Sequence, residues 1–367
     1  MLRREFRYMY VLFIFYFPLV AYSQDSVRCG SWISANIHYG FIMPAYSNSM
    51  LYLIRAHVPA IEVDYLYKPC GSEPWETDYH LAETGVAFFS GWLGNPTELG
   101  NMYGVYPFVN FHLQQNYSEA LYLRFGVGLG YLPVIFNRLT NYKNDVIGSH
   151  LNAMINLRLT SHFYLSDRLR LETGLGITHC SDGNFTTPNL GINLLTLNTG
   201  LSYCINPYKT CVKGACDTAP LRKVQNEILV AAGISQNEPP GGRYFGAVTL
   251  SGDRYYTLSK KSRFGGGVDI FNNYANIAKL QAQNVYLSSP IENTQIGIKA
   301  AYELTLGNLT MPMEMGYYVF TKFQTPGNLY NRFGLRYFFG KHAIANLTLL
   351  THFASAVYVE WGGGYRF

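Results

Sequence analysis

The sequence predicts an all-β chain that closes into an antiparallel transmembrane β-barrel, and three observations carry that prediction. The composition is rich in aromatics (16%, with 31 Tyr and 23 Phe) and poor in charge (14%), against roughly 25% charged residues in an ordinary soluble domain. Mean hydropathy is nevertheless close to zero, which excludes a bundle of spanning helices. Most of the chain alternates apolar and polar residues with period 2, as strands with one lipid-facing and one lumen-facing side do. No apolar run after the N-terminus reaches the ~18 residues of a spanning helix. The net charge of +5 is small for 367 residues and its basic residues are scattered, so no nucleic-acid surface is expected.

The N-terminus supplies the compartment. Arg3, Arg4 and Arg7 precede an apolar run from Tyr8 to Val20, followed by the small-x-small triplet Ala21-Tyr22-Ser23. This predicts a cleaved signal peptide over residues 1–23 and a mature chain, 24–367, beginning at Gln24. Cys29 lacks the preceding lipobox of a lipid anchor. The final alternating strand, Trp361 to Phe367 with its terminal aromatic, resembles the closing strand of bacterial outer-membrane barrels, so the expected location is the bacterial outer membrane. An exported chain with six cysteines permits disulfides. Cys211 and Cys216 share one loop and are expected to pair with each other. Their separation fits no zinc site and no His pair lies nearby. Neither metal nor cofactor is expected.

From Trp32 onward the chain divides into segments near 31–41, 57–68, 83–93, 102–113, 117–131, 149–165, 168–182 and 189–205, then 225–237, 243–258, 261–272, 295–307, 309–320, 329–340, 343–353 and 355–367. The expectation is one barrel of about 12–16 strands, with 16 the count this division gives. Tight turns at Ser166-Asp167, Ser259-Lys260, Gly307-Asn308 and Gly340-Lys341-His342 alternate with longer connections, as periplasmic turns alternate with external loops. The long connection from Asn206 to Val224 is the exception, because it falls on the side of the short turns.

One hairpin stands apart. On its ascending arm Leu169, Leu171, Leu175 and Ile177 are odd-numbered and apolar; on its descending arm so are Leu195, Leu197 and Leu201. His179, Ser181 and Asn193 continue those two apolar faces, where polar groups are costly if the face meets lipid. An i, i+2 pair on a strand lies about 6–7 Å apart at Cα, so the His179 imidazole reaches the Ser181 hydroxyl and can act as its base. If the arms pair with a residue sum of 372, His179 faces Asn193 and Ser181 faces Gly191. Asn193 then orients the imidazole as the third member of a triad. Gly183 and Gly191 leave backbone N–H groups accessible to a developing oxyanion.

The string His179-x-Ser181-x-Gly183 followed by Pro188-Asn189-x-Gly191-x-Asn193 resembles the motif of outer-membrane lipid A 3-O-deacylases of the acyloxyacyl hydrolase family. The likeness is concentrated in about fifteen residues. It extends more weakly over 149–205 and to His352-Phe353-Ala354 and Glu360-Trp361-Gly362. The resemblance implies a serine esterase that removes an acyl chain from lipid A, or from another outer-leaflet lipid. Ser181 is then the nucleophile, His179 the base and Asn193 the orienting residue, with Asp182, Gly183, Asn189 and Gly191 supporting the oxyanion. Known smaller members are eight-stranded barrels, which leaves the extra strands of this chain unexplained. Two positions depart from the family pattern: Asn193 stands where the best-known members carry Glu, and Asp182 where they carry an oxyanion-hole Asn. An Asn orients an imidazole but cannot stabilise an imidazolium by charge, and an ionised Asp offers no donor to an oxyanion.

Other polar residues read as structural. His352 and Glu360 should face the lumen and brace the closing hairpin, and Cys180 should point inward, away from the dyad. A channel, or a structural barrel keeping a vestigial hydrolase motif, is the alternative from another class. An adhesin built on the long loops is a third.

Overall fold

The computed structural model describes residues 30–44, 48–71, 73–113, 121–166, 168–207, 224–237, 239–323, 327–353 and 355–367. Sixteen strands form, but they close twice, eight at a time. The first barrel comprises β1 (Gly30–Met43), β2 (Val58–Lys68), β3 (Glu83–Trp92), β4 (Asn101–His112), β5 (Leu121–Tyr131), β6 (Leu151–Tyr164), β7 (Leu169–Ser181) and β8 (Ile192–Pro207). The second comprises β9 (Val224–Gln236), β10 (Tyr244–Ser259), β11 (Ser262–Asn273), β12 (Thr294–Leu306), β13 (Leu309–Phe320), β14 (Leu329–Phe339), β15 (Ala343–His352) and β16 (Ser355–Arg366). The expected single barrel of sixteen strands is therefore corrected. β8 pairs with β1 from Gly30↔Pro207 to Met43↔Asn193, and β16 pairs with β9 from Trp361↔Ala232 to Arg366↔Glu227. Alternation and hairpin order are the same for one barrel of sixteen and two of eight; only these long-range closing pairs differ. The signal peptide and the Cys211–Cys216 pairing lie outside the described residues.

Strands of 10 to 16 residues are long enough to cross a bilayer, which takes ~9–11. Their outward side chains form an apolar surface on both barrels, with Ile37, Leu129 and Leu197 exposed on the first and Val230, Met315 and Trp361 on the second. Inward side chains are mostly polar, and an eight-stranded barrel has just enough interior to be filled by them. In the first barrel, Glu62 accepts hydrogen bonds from Arg124 at 2.9 Å and from Arg158 and Tyr106. Nearer the short turns, Arg170 bridges Glu83 (2.7 Å) and Glu172 (3.0 Å). In the second barrel, Glu314 receives Lys299 and Arg332 at 2.8 Å each and Arg336 at 2.6 Å. A cavity of about 10 Å³ remains among Leu229, Thr249, Arg332 and Glu360, room for a single water at most. Among the described residues, both interiors carry networks of buried ion pairs.

The barrels stand side by side in the same sense. At the end of the short turns, the Tyr79 hydroxyl donates to the Thr305 carbonyl at 2.8 Å, and Trp75 lies against Gly307. At the opposite, loop end, Thr187 of the first barrel donates to Gln236 of the second.

Because each barrel closes on itself, damage to one core should stay in that barrel. Glu62→Ala strips the buried Arg158 of its carboxylate and is expected to cost the first barrel about 3–5 kcal/mol. Hydrogen exchange in detergent should accelerate across β1–β8 and remain unchanged across β9–β16. Equal acceleration in all sixteen strands would contradict two separate closures.

Candidate active site

β7 and β8 pair from Leu169↔Tyr203 to Cys180↔Ile192, with His179 opposite Asn193, in the register of sum 372. Odd-numbered residues of β7 face outward: Leu175 and Ile177 are exposed, and His179 and Ser181 follow on the same face, half-buried. The imidazole lies between two partners. Its Nε2 is 3.0 Å from Ser181 Oγ and its Nδ1 is 2.8 Å from Asn193 Oδ1. With the amide oxygen facing Nδ1, that nitrogen carries the proton and donates it, which leaves Nε2 as acceptor for the serine hydroxyl. This is the tautomer a general base needs.

The loop joining the strands folds back over the barrel rim, and most of its polar groups are engaged. Asp182 is buried, and its carboxylate accepts from Phe185 N–H (3.1 Å), Thr186 N–H (2.9 Å) and the Thr186 hydroxyl. Burial pushes this carboxyl above its usual range, and the hydrogen bonds from Thr186 and Phe185 pull against that shift. Asp182 is thus a brace of the loop, and its side chain is directed away from the dyad. Its own N–H donates to Asn189 Oδ1 at 3.3 Å. The Gly191 N–H donates to the Val146 carbonyl at 3.1 Å, so it is not free for an oxyanion. Among the described residues, the Gly183 N–H and the Asn189 Nδ2 have no acceptor. Gly191 has φ +75°, and a Cβ there would lie 3.0 Å from His179 Cε1 and 3.2 Å from Ser181 Cβ. Glycine at 191 therefore serves the turn and leaves room for the dyad.

Cys180 points into the barrel as a buried thiol. Glu360 accepts from Thr249 at 2.7 Å and Thr348 at 2.8 Å inside the second barrel, while His352 meets the Tyr318 hydroxyl at 3.0 Å. Both brace the second barrel without touching the dyad, as their even numbers imply. Three supports carry no local sequence signal: the Val146 carbonyl, the Thr186 hydroxyl and Gln236. The first reaches the site from the β5–β6 loop and the last from the other barrel.

Two family models match, one on each barrel: lipid A 3-O-deacylase (PagL) over residues 60–202, and the acyloxyacyl hydrolase C-terminal domain over residues 224–367. The chain belongs to this lipid A deacylase and acyloxyacyl hydrolase family. It is accordingly a β-barrel protein of the outer membrane. No curated protein matches the sequence. Solved structures with some likeness include the NanC porin (6% identity, 90% of this chain and 98% of that one, TM-score 0.18). The Acinetobacter baumannii outer membrane protein Omp33 has 9% identity over 94% and 100%, TM-score 0.18. A Rhodopseudomonas blastica porin mutant has 8% identity over 92% and 100%, TM-score 0.20. Scores this low carry no argument about the fold.

The brace assigned to Asp182 reverses what a family-pattern residue would be expected to do there. Asp182→Asn exchanges one acceptor oxygen for a donor that faces other donors, at a cost of about 1–3 kcal/mol to the loop. Limited proteolysis between residues 183 and 188 should become faster in this variant. Unchanged cleavage would contradict the brace.

Proposed function

We propose that this protein is an esterase that removes an ester-linked acyl chain from lipid A, using Ser181 and His179 on the lipid-facing surface of its first barrel. The observation that carries this reading is the imidazole held between Ser181 Oγ at 3.0 Å and Asn193 Oδ1 at 2.8 Å on an outward face. Family membership supplies the substrate class. The site stands at the loop end of the apolar surface, the depth at which a lipid's ester groups meet a barrel.

Ser181 Oγ attacks the ester carbonyl carbon as its proton passes to His179 Nε2. The imidazolium so formed keeps its Nδ1–H on Asn193 Oδ1. Negative charge develops on the carbonyl oxygen, where the Gly183 N–H and the Asn189 amide are the donors still uncommitted. Collapse of the tetrahedral adduct expels the lipid alkoxide, which takes the proton from His179, and leaves acyl-Ser181. Water then attacks this acyl ester with His179 again as base, releasing the fatty acid and regenerating the hydroxyl.

Asn193 sets the limit on rate. It adds no charge opposite the imidazolium, and an amide turned over would place the proton on Nε2 and disable the base. An aspartate at the same reach admits only the productive tautomer and adds the missing charge.

Fatty acid release from purified lipid A in detergent tests the reading. Ser181→Ala and His179→Ala should each abolish release while the barrel still folds, and the double variant should be little slower than either, because the pair acts as a unit. Asn193→Asp should exceed the wild type. Wild-type activity in Ser181→Ala would refute the mechanism. An inert wild type beside an active Asn193→Asp would identify a decayed hydrolase, the alternative in which the motif is vestigial.

A further inference from the structure

We propose that the second barrel is the positioning element of the Ser181 site and that Gln236, the last residue of β9, is its contact residue. The proposal rests on the hydrolase reading above. Gln236 is buried and holds the β7–β8 loop at two points. Its backbone N–H donates to the Asn184 carbonyl at 3.4 Å. Its side-chain Oε1 accepts from the Thr187 N–H at 2.8 Å and from the Thr187 hydroxyl at 3.1 Å. The amide end is fixed in turn, since Nε2 donates to the Gly242 carbonyl at 2.8 Å.

Three neighbouring contacts act in the same direction. Asn184 Nδ2 donates to the Val357 carbonyl at 3.1 Å. The Phe185 ring meets the Tyr244 ring with centroids 5.6 Å apart. Gly183 has φ +67°, and a Cβ there would sit 2.5 Å from Val359 Cγ2, so the loop backbone lies directly against the second barrel. That contact also explains the exposure of the barrel surface. Leu349 and Val359 are half-buried, whereas Leu347 and Trp361, one step further along the same outward faces, are 48% and 67% exposed.

All four attachments, at 183, 184, 185 and 187, fall within six residues of Ser181 and include the backbone that carries the uncommitted Gly183 N–H. A loop held from one side by Asp182 and from the other by Gln236 has its oxyanion donor fixed before substrate arrives. The lipid-facing surface running down β8 and β1, through Phe41, Tyr39 and Leu197, has no part in these contacts. Loss of the clamp should therefore slow the chemical step and leave lipid binding alone.

The test compares wild type, Ser181→Ala, Gln236→Leu and Gln236→Glu in detergent, with lipid A as substrate. Gln236→Leu keeps the volume and removes the acceptor. Its kcat should fall by about 10–100-fold, with KM and the unheated gel mobility unchanged. Gln236→Glu keeps an oxygen opposite Thr187 but loses the donor to the Gly242 carbonyl, and should recover part of kcat. If Gln236→Leu fails to fold, Thr187→Val, which deletes only the hydroxyl donor, decides by the same criterion with a smaller loss. Wild-type kcat in the variant that folds, a loss confined to KM, or no recovery with Glu would overturn the proposal. Activity surviving in Ser181→Ala would instead overturn the hydrolase reading, which no Gln236 result can do.

Discussion

In hydrocarbon every backbone N–H and C=O must find a partner within the protein, and a sheet meets that demand only by closing on itself. This chain closes after eight strands and again after sixteen. Closure at eight leaves an interior of a size that side chains can fill, and among the described residues these include carboxylates and guanidiniums in mutual contact, with Lys299 paired to Glu314. A charged interior of that kind is stable only while its pairs stay intact. It turns each barrel into a rigid post, and the proposed chemistry is carried on the outside of one post.

The outside is where a lipid esterase has to work. A hydroxyl and an imidazole on an outward face meet a membrane substrate without extracting it from the bilayer. What such a face lacks is a cleft to hold the loop beside the proposed dyad. Here the loop is held from within by the Asp182 carboxylate and from the flank by a second barrel of the same family. The extra strands are thus a neighbour for the site as well as further membrane-spanning mass. They also leave each barrel with the strand number that the resemblance to smaller deacylases implied.

Much of this was legible in the residues. Strict alternation in β7 and β8 placed His179, Ser181 and Asn193 on one outward face, and the His179–Asn193 pairing, expected on the condition of a residue sum of 372, is the register the strands adopt. Strand number was legible for the same reason. Closure was not, because the pair Met43↔Asn193 joins residues 150 apart and leaves no local mark. The one hint was the long connection between β8 and β9 on the side of the short turns, where a single barrel needs only a tight turn. Asp182 was misleading in another way. Its type suggested a repelling charge at an oxyanion, yet its surroundings make it an acceptor for loop N–H groups, and no pattern of spacing reveals where a loop turns its own donors. Gln236 was invisible to sequence because its partner sits in the other barrel.

The central claim is that Ser181 is a nucleophile activated by His179. The most direct measurement is the mass of the tryptic peptide carrying residue 181 after the folded protein is treated with a long-chain alkyl fluorophosphonate in detergent. The account predicts one phosphonyl adduct on Ser181 in the wild type and none in His179→Ala. An unmodified Ser181, or an adduct that forms equally well without His179, would contradict it.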